Sequence, residues 1–133
     1  MKNCLFVGTG GFLGAVLRYF IESLHLKESN GSIPINTLLV NISGCFILAL
    51  FLTLVSEIWT VNEHTRLGIA TGFVGAYTTF STLCKEVSLL LSQGWYDTAV
   101  LYVALSIGLG LAATYLGFLT AKAVPLNPIK GKG

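Results

Sequence analysis

The chain has 133 residues, 53% of them hydrophobic and only 11% charged, with a formal net charge of +2 and a mean hydropathy of +0.76. A soluble domain carries about 25% charge, so this composition excludes an ordinary soluble enzyme and points to an integral membrane protein. Eight basic and six acidic residues form no patch dense enough for nucleic acid.

In chain order, the first apolar run, about Leu5 to Ile21, follows a short Met-Lys-Asn start. With no small-residue cleavage site ahead of a mature domain, it reads as a first membrane span and not a cleaved signal. Gly8-Thr-Gly-Gly-Phe-Leu-Gly14 lacks the G-x-G-x-x-G spacing and the preceding strand of a dinucleotide-binding turn. Its Gly10 and Gly14 form a GxxxG pair, which predicts a close helix-packing face. Arg18 and Glu22, four apart late in the span, are placed to pair or to snorkel.

After a polar connection from His25 to Pro34, the second span covers about Ile35 to Val55. Thr37, Asn41 and Gly44 share one of its faces. Asn41 there is either glue between helices or an amide donor to a permeating anion, and spacing alone leaves both open.

The third span, about Leu67 to Leu91, follows the Glu57–Arg66 connection and holds Gly72-Phe-Val-Gly-Ala-Tyr-Thr-Thr-Phe-Ser-Thr82. Two glycines beside a run of hydroxyls suit a discontinuous helix, because loosened backbone at membrane depth is tolerated where protein or a watery cavity surrounds it. A small-residue packing face is the alternative. Phe80 and Leu83, three apart, share a face; an aromatic ring edge is positive and favours an anion. Lys85 and Glu86 lie about 12 Å from a midplane near Tyr77 at 1.5 Å per residue, a depth from which both can snorkel.

The fourth span, about Thr98 to Ala121, follows Ser92–Asp97 and carries Tyr102 and Ser106 as a polar stripe, with Tyr115 toward its far end as an interfacial anchor. The tail from Pro125 is too short and polar for another element. Residues 1–133 thus read as one all-α unit of four spans. Lys2, Arg66, Lys122, Lys130 and Lys132 fall on the side of both termini, against Arg18, Lys27 and Lys85 on the other, a shallow bias that sets no firm orientation. Cys4, Cys45 and Cys84, widely spaced in apolar runs, offer neither a metal motif nor a disulfide framework and are expected to be buried thiols filling helix contacts. Polar side chains in mid-span have little interior to hide in, and an unpaired one costs roughly 4–8 kcal/mol on a hydrocarbon reference, which predicts an obligate dimer. No carboxylate lies at the centre of a span, which favours a passive pore over a proton-coupled carrier. No catalytic constellation is present, and neither His25 nor His64 has a ligand partner, so an enzyme is not expected.

Taken together, Leu17-Arg18-Tyr19, Asn36-Thr-Leu-Leu-Val-Asn41 with Gly44, Gly72 to Thr82 with Glu86 after it, and Tyr102 with Ser106 closely resemble the small fluoride channels of the Fluc or CrcB family, over nearly the whole length. The resemblance implies two copies inserted antiparallel in a bacterial cell membrane, with two narrow fluoride pores and a third helix broken at its centre. It implies a structural, untransported sodium ion at the dimer centre, held by the backbone carbonyls of Gly75 and Thr78. By resemblance Asn41 is the pore amide, Phe80 a pore aromatic, and Thr37, Tyr102 and Ser106 a polar track. Ser81 and Thr82 are hydroxyls beside the pore, and Arg18 is a basic residue near a vestibule. The chain departs from the usual Thr-Phe-Ser-Thr-Phe at Leu83, which keeps volume but loses a ring edge. That departure fits a homodimer with altered throughput, an engineered substitution, or one half of a heterodimer with a close paralogue. A proton-coupled exporter of similar size and a non-conducting partner subunit are the rival classes.

Overall fold

The computed structural model describes residues 2–24, 31–57 and 59–124. Among the described residues the regular secondary structure is all helical, with four stretches long and apolar enough to cross a membrane. The connection residues His25 and Lys27, and the tail from Pro125 with Lys130 and Lys132, lie outside the described residues. The first span is α1 (Lys2–Ser23) and the second α2 (Ile35–Glu57). The third combines α3 (Glu63–Leu67), a wider π-helical stretch (Gly68–Val74), α4 (Gly75–Tyr77) and α5 (Phe80–Ser92). The fourth is α6 (Tyr96–Ala123).

The apolar runs locate these spans; α2 begins at Ile35 as expected, and the other ends run about one to four residues past the runs. Hydropathy stops counting at polar ends such as Glu63-His64-Thr65-Arg66, whereas capping carries the backbone on. Asn62 caps α3, its Oδ1 accepting the Thr65 N–H at 2.8 Å. At 1.5 Å per residue the 30-residue third span is about 45 Å long, against a hydrocarbon core of about 30 Å, so its ends reach the headgroup level or it tilts. Gly94 ends α5 with φ 84°. Its N–H bonds Leu91 O and the Trp95 N–H bonds Leu90 O at 2.9 Å, a Schellman closure that requires the left-handed region. α1 ends against a side chain from the next span: Asn36 Nδ2 donates to Leu24 O at 3.0 Å and Glu22 O at 3.4 Å.

Packing follows the small residues. α1 lies mainly on the π-helical stretch and α4, while α2 lies mainly on α6. The GxxxG expectation holds: a methyl group at Gly10 would overlap the Gly68 carbonyl, and one at Gly14 the Phe73 carbonyl. The two backbones approach until carbonyls fill the space of the missing side chains. On the other pair, a methyl at Gly117 would sit 2.5 Å from Phe46 O. The deepest side chains are Tyr102, Val40 and Thr37. Tyr102 joins Leu90 and Ala99 in a cluster against which Ile33, Leu38, Leu83 and Val87 pack. The expectation of buried thiols is corrected in part: Cys4 and Cys84 are exposed and Cys45 is half-buried, because an apolar run in a membrane protein need not face the bundle interior.

The glycine contacts make a direct prediction. Gly14→Ala lowers stability in detergent by about 1–3 kcal/mol, the usual cost of overpacking. Gly8→Ala, where a methyl meets open space, stays within about 0.5 kcal/mol of the parent. Thermal unfolding of the two variants side by side checks this.

Candidate functional site

The backbone of the third span leaves helical geometry at two residues. Thr78 has φ −77° and ψ 156°, and Thr79 has φ −145° and ψ 120°. In an uninterrupted helix the Thr79 N–H would bond Gly75 O, and the Thr82 N–H would bond Thr78 O. Here the Thr79 N–H donates to Asn41 Oδ1 at 2.8 Å, and the Thr82 N–H donates to Thr79 Oγ1 at 3.2 Å. The Gly75 and Thr78 carbonyls are thereby left without their helical donors. Asn41 completes the exchange, its Nδ2 donating to Thr79 O at 2.9 Å. One side-chain amide thus replaces the lost helical acceptor of the Thr79 N–H and adds a donor to the Thr79 carbonyl, which as the N-cap of α5 also accepts the first bond of that helix. Next to it, Ser43 Oγ and Tyr77 Oη share a hydrogen bond of 2.7 Å.

Close approach of α2 makes this contact possible. Gly44 lies where a methyl group would overlap the Thr78 side chain. Thr37, Asn41 and Gly44 therefore all address the third span. The same region forms an open recess of about 290 Å³ lined by Asn41, Gly44, Gly75, Thr78, Thr79 and Phe80 among others. Gly75 is open to it, since a methyl group there would meet nothing within 4 Å. Phe80 stands at its edge, 77% exposed. Thr79 caps α5, and its Oγ1 also lies 2.9 Å from Thr82 Oγ1 and 3.3 Å from Ser81 Oγ. The N-terminus of α5, where its dipole is positive, thus opens at mid-span among hydroxyls.

Below this point the structure gathers a second polar group. Glu86 is not extended toward the membrane surface; this corrects the snorkelling expected of it. Thr37 Oγ1 donates to Glu86 Oε1 at 2.8 Å, and Tyr102 Oη donates to Glu86 Oε2 at 2.7 Å. A carboxylate held by two hydroxyls from two other spans replaces water with donors. Sequence reading passed over Glu86 as a hub, although the signal was there. Glu86 falls between Leu83, Val87 and Leu90 at helical spacing, on the apolar stripe of α5 that turns into the bundle. Ser106 donates to the carbonyl of Tyr102 at 2.8 Å, so the two are linked through backbone. Phe80 and Leu83 are three apart, yet Phe80 faces outward while Leu83 packs on the Tyr102 cluster. Arg18 is half-buried and forms no ion pair with Glu22 among the described residues, where the salt bridge found is Lys122 to Glu57 at 3.9 Å. Glu22 Oε1 and Asn36 Oδ1 are buried and have no hydrogen-bond partner among the described residues.

These features define a multi-pass helical membrane protein whose polar chemistry converges at the middle of its third span. The chain belongs to the CrcB family: residues 5–118 match the family described as CrcB-like protein, Camphor Resistance (CrcB). It is 36% identical over 124 residues to the protein of Rhizobium etli named fluoride-specific ion channel FluC, covering 93% of this chain and 99% of that one. It is 39% identical over 124 residues to the protein of that name from Ruminiclostridium cellulolyticum, covering 93% and 95%. For the Shewanella piezotolerans protein of that name the identity is 39% over 117 residues, covering 88% and 94%.

Asn41→Leu removes both bonds to Thr79 and leaves its buried N–H without an acceptor, at about 1–3 kcal/mol. Amide exchange at Thr79 therefore accelerates about tenfold, since each 1.4 kcal/mol is a factor of ten. Hydrogen–deuterium exchange on the purified protein measures it.

Proposed function

We propose that this protein is a passive fluoride-selective channel that lowers cytoplasmic fluoride, working as an antiparallel pair of identical chains in a bacterial cell membrane. The observation that carries this reading is the diverted hydrogen bonding at Thr78 and Thr79, which frees two carbonyls of their helical donors beside an open, mostly apolar recess edged by Phe80 at mid-span. A monomer exposing such a face to lipid strands polar groups in hydrocarbon; a second copy covers it. The relatives' name, fluoride-specific ion channel, agrees with the polar groups gathered there.

Fluoride is strongly hydrated, and donors each return only about 1.5–3 kcal/mol net. A path must therefore offer donors and ring edges in succession, each weak enough to release the ion. Asn41, Ser81, Thr82 and the Phe80 edge supply such a succession beside the positive end of α5. Thr37 and Tyr102 each own one hydroxyl proton, and both are committed to Glu86. They donate to a passing anion when the carboxylate gives them up. Arg18 raises the local anion concentration at the entrance, and Ser106 steadies Tyr102.

The Gly75 and Thr78 carbonyls suit a structural sodium ion. Unwound carbonyls without helical donors are the oxygen ligands that sodium takes in membrane proteins, and the Gly75 position is open enough for a second chain to bring its own pair. Bound there, sodium supplies fixed positive potential near the pore.

A second reading, proton-coupled export, draws on Glu86, a carboxylate held inside the bundle. The two readings separate in liposomes. The channel reading expects the purified chain alone to release fluoride and not chloride, at a rate independent of any imposed proton gradient. Flux that requires the gradient establishes the exporter, and no flux from the chain alone points to a partner subunit. Within the channel reading, Leu83→Phe restores a ring edge and speeds efflux; equal or faster flux through the Leu form refutes that role for position 83.

A further inference from the structure

The end of α1 and the start of α2 meet at a polar corner that holds more acceptors than donors. α1 has no basic residue in its last turn, although the C-terminal end of a helix dipole is negative and favours a cation. Two carbonyls there, Glu22 O and Leu24 O, accept from Asn36 Nδ2 at 3.4 Å and 3.0 Å. Ile21 O accepts the Leu24 N–H at 3.2 Å. Asn36 is only 7% exposed. Its amide nitrogen is committed to α1, while its Oδ1 has no donor among the described residues, and neither has the buried Glu22 Oε1. The amide that carries one orphaned acceptor thus rests on the backbone of the residue that carries the other.

Buried acceptors without donors are destabilising, and a charged one most of all. Turning the Asn36 amide over would offer its nitrogen to Glu22 but set its oxygen against the Leu24 carbonyl. Arg18 is one helical turn back and makes no ion pair among the described residues; Lys27 lies outside them. A water molecule would supply hydrogens to both oxygens, yet leave the carboxylate charge uncompensated beside the negative helix end. A cation answers both orphans and the dipole together.

We propose that Glu22 Oε1 and Asn36 Oδ1 bind a hydrated magnesium ion that clamps the end of α1 to the start of α2. Calcium takes roughly six to eight oxygen ligands, more than this corner offers, whereas magnesium is held by one or two carboxylates and keeps several of its waters. Glu22 is half-buried at a span end, so those waters have room on its outer side. The site shares no residue with the Gly75 and Thr78 carbonyls, and the inference does not depend on the channel reading.

Manganese shares the preference of magnesium for carboxylate, carbonyl and water, and its free-ion EPR signal falls on binding. In a neutral detergent the purified parent binds about one Mn2+ per chain, displaced by Mg2+ and not by Na+ at the same ionic strength. Glu22→Gln weakens binding at least about tenfold, while Glu22→Asp, which keeps the charge, retains part of it. Without metal, Glu22→Gln melts no lower than the parent, because its own amide can donate to Asn36 Oδ1; loss of binding is then not loss of fold. Added Mg2+ raises the thermal midpoint of the parent and leaves that of Glu22→Gln in place. A parent that binds no Mn2+ overturns the proposal, and means that a proton, a water or a cation of the chain itself fills the corner. Equal Mn2+ affinity in parent and Glu22→Gln overturns it as well. Mn2+ binding in a chain that releases no fluoride upholds the clamp and places the failure in the channel reading.

Discussion

The architecture turns on one side-chain amide. Asn41 gives its oxygen to the Thr79 N–H and its nitrogen to the Thr79 carbonyl, so a residue of α2 satisfies backbone that a helix would satisfy internally. An orphaned backbone group costs several kcal/mol in hydrocarbon, so extended dihedrals at mid-span survive only with such a substitute. Asparagine is suited to the task because it carries donor and acceptor on one planar group. This exchange, with the Thr82 N–H turned to Thr79 Oγ1, frees the Gly75 and Thr78 carbonyls of their helical donors and starts α5 afresh beside the outward-turned Phe80.

Close packing holds the amide where it is needed. Gly44 lets α2 settle on Thr78, and Gly10 and Gly14 let α1 settle on the π-helical stretch just before it. The tight approaches lie against the first half of the third span. The second half, α5, is fastened differently, through Glu86 to Thr37 and Tyr102 and through Leu83, Val87 and Leu90. The residues between these two attachments, Thr78 and Thr79, are those that depart from helix.

Much of this is legible in the amino-acid sequence. Runs of uncharged apolar residues place all four spans to within a few residues, because hydrocarbon imposes a length and a composition together. The Gly10–Gly14 spacing announces a close contact, and the Thr37, Asn41 and Gly44 spacing puts three residues on one face. What those faces meet is not legible. Periodicity describes a single helix and carries nothing about the register between two, so neither the Asn41–Thr79 exchange nor the Ser43–Tyr77 bond can be named from it. Glu86 is misjudged when depth is read without direction: its distance from the midplane allows escape to the surface, while its place on the apolar stripe of α5 turns it inward. Cys4 and Cys84 are misjudged for the converse reason, since apolar neighbours in a membrane say nothing about which side is the interior.

The central claim is that Thr78 and Thr79 are held extended in the bilayer by a neighbouring span. Solid-state NMR of the protein in lipid, uniformly 13C-labelled, reads it directly from the Cα and Cβ secondary shifts of these two residues. The account requires extended-type shifts at Thr78 and Thr79 between helical values at Tyr77 and Ser81; unbroken helical shifts from Val74 to Thr82 would contradict it.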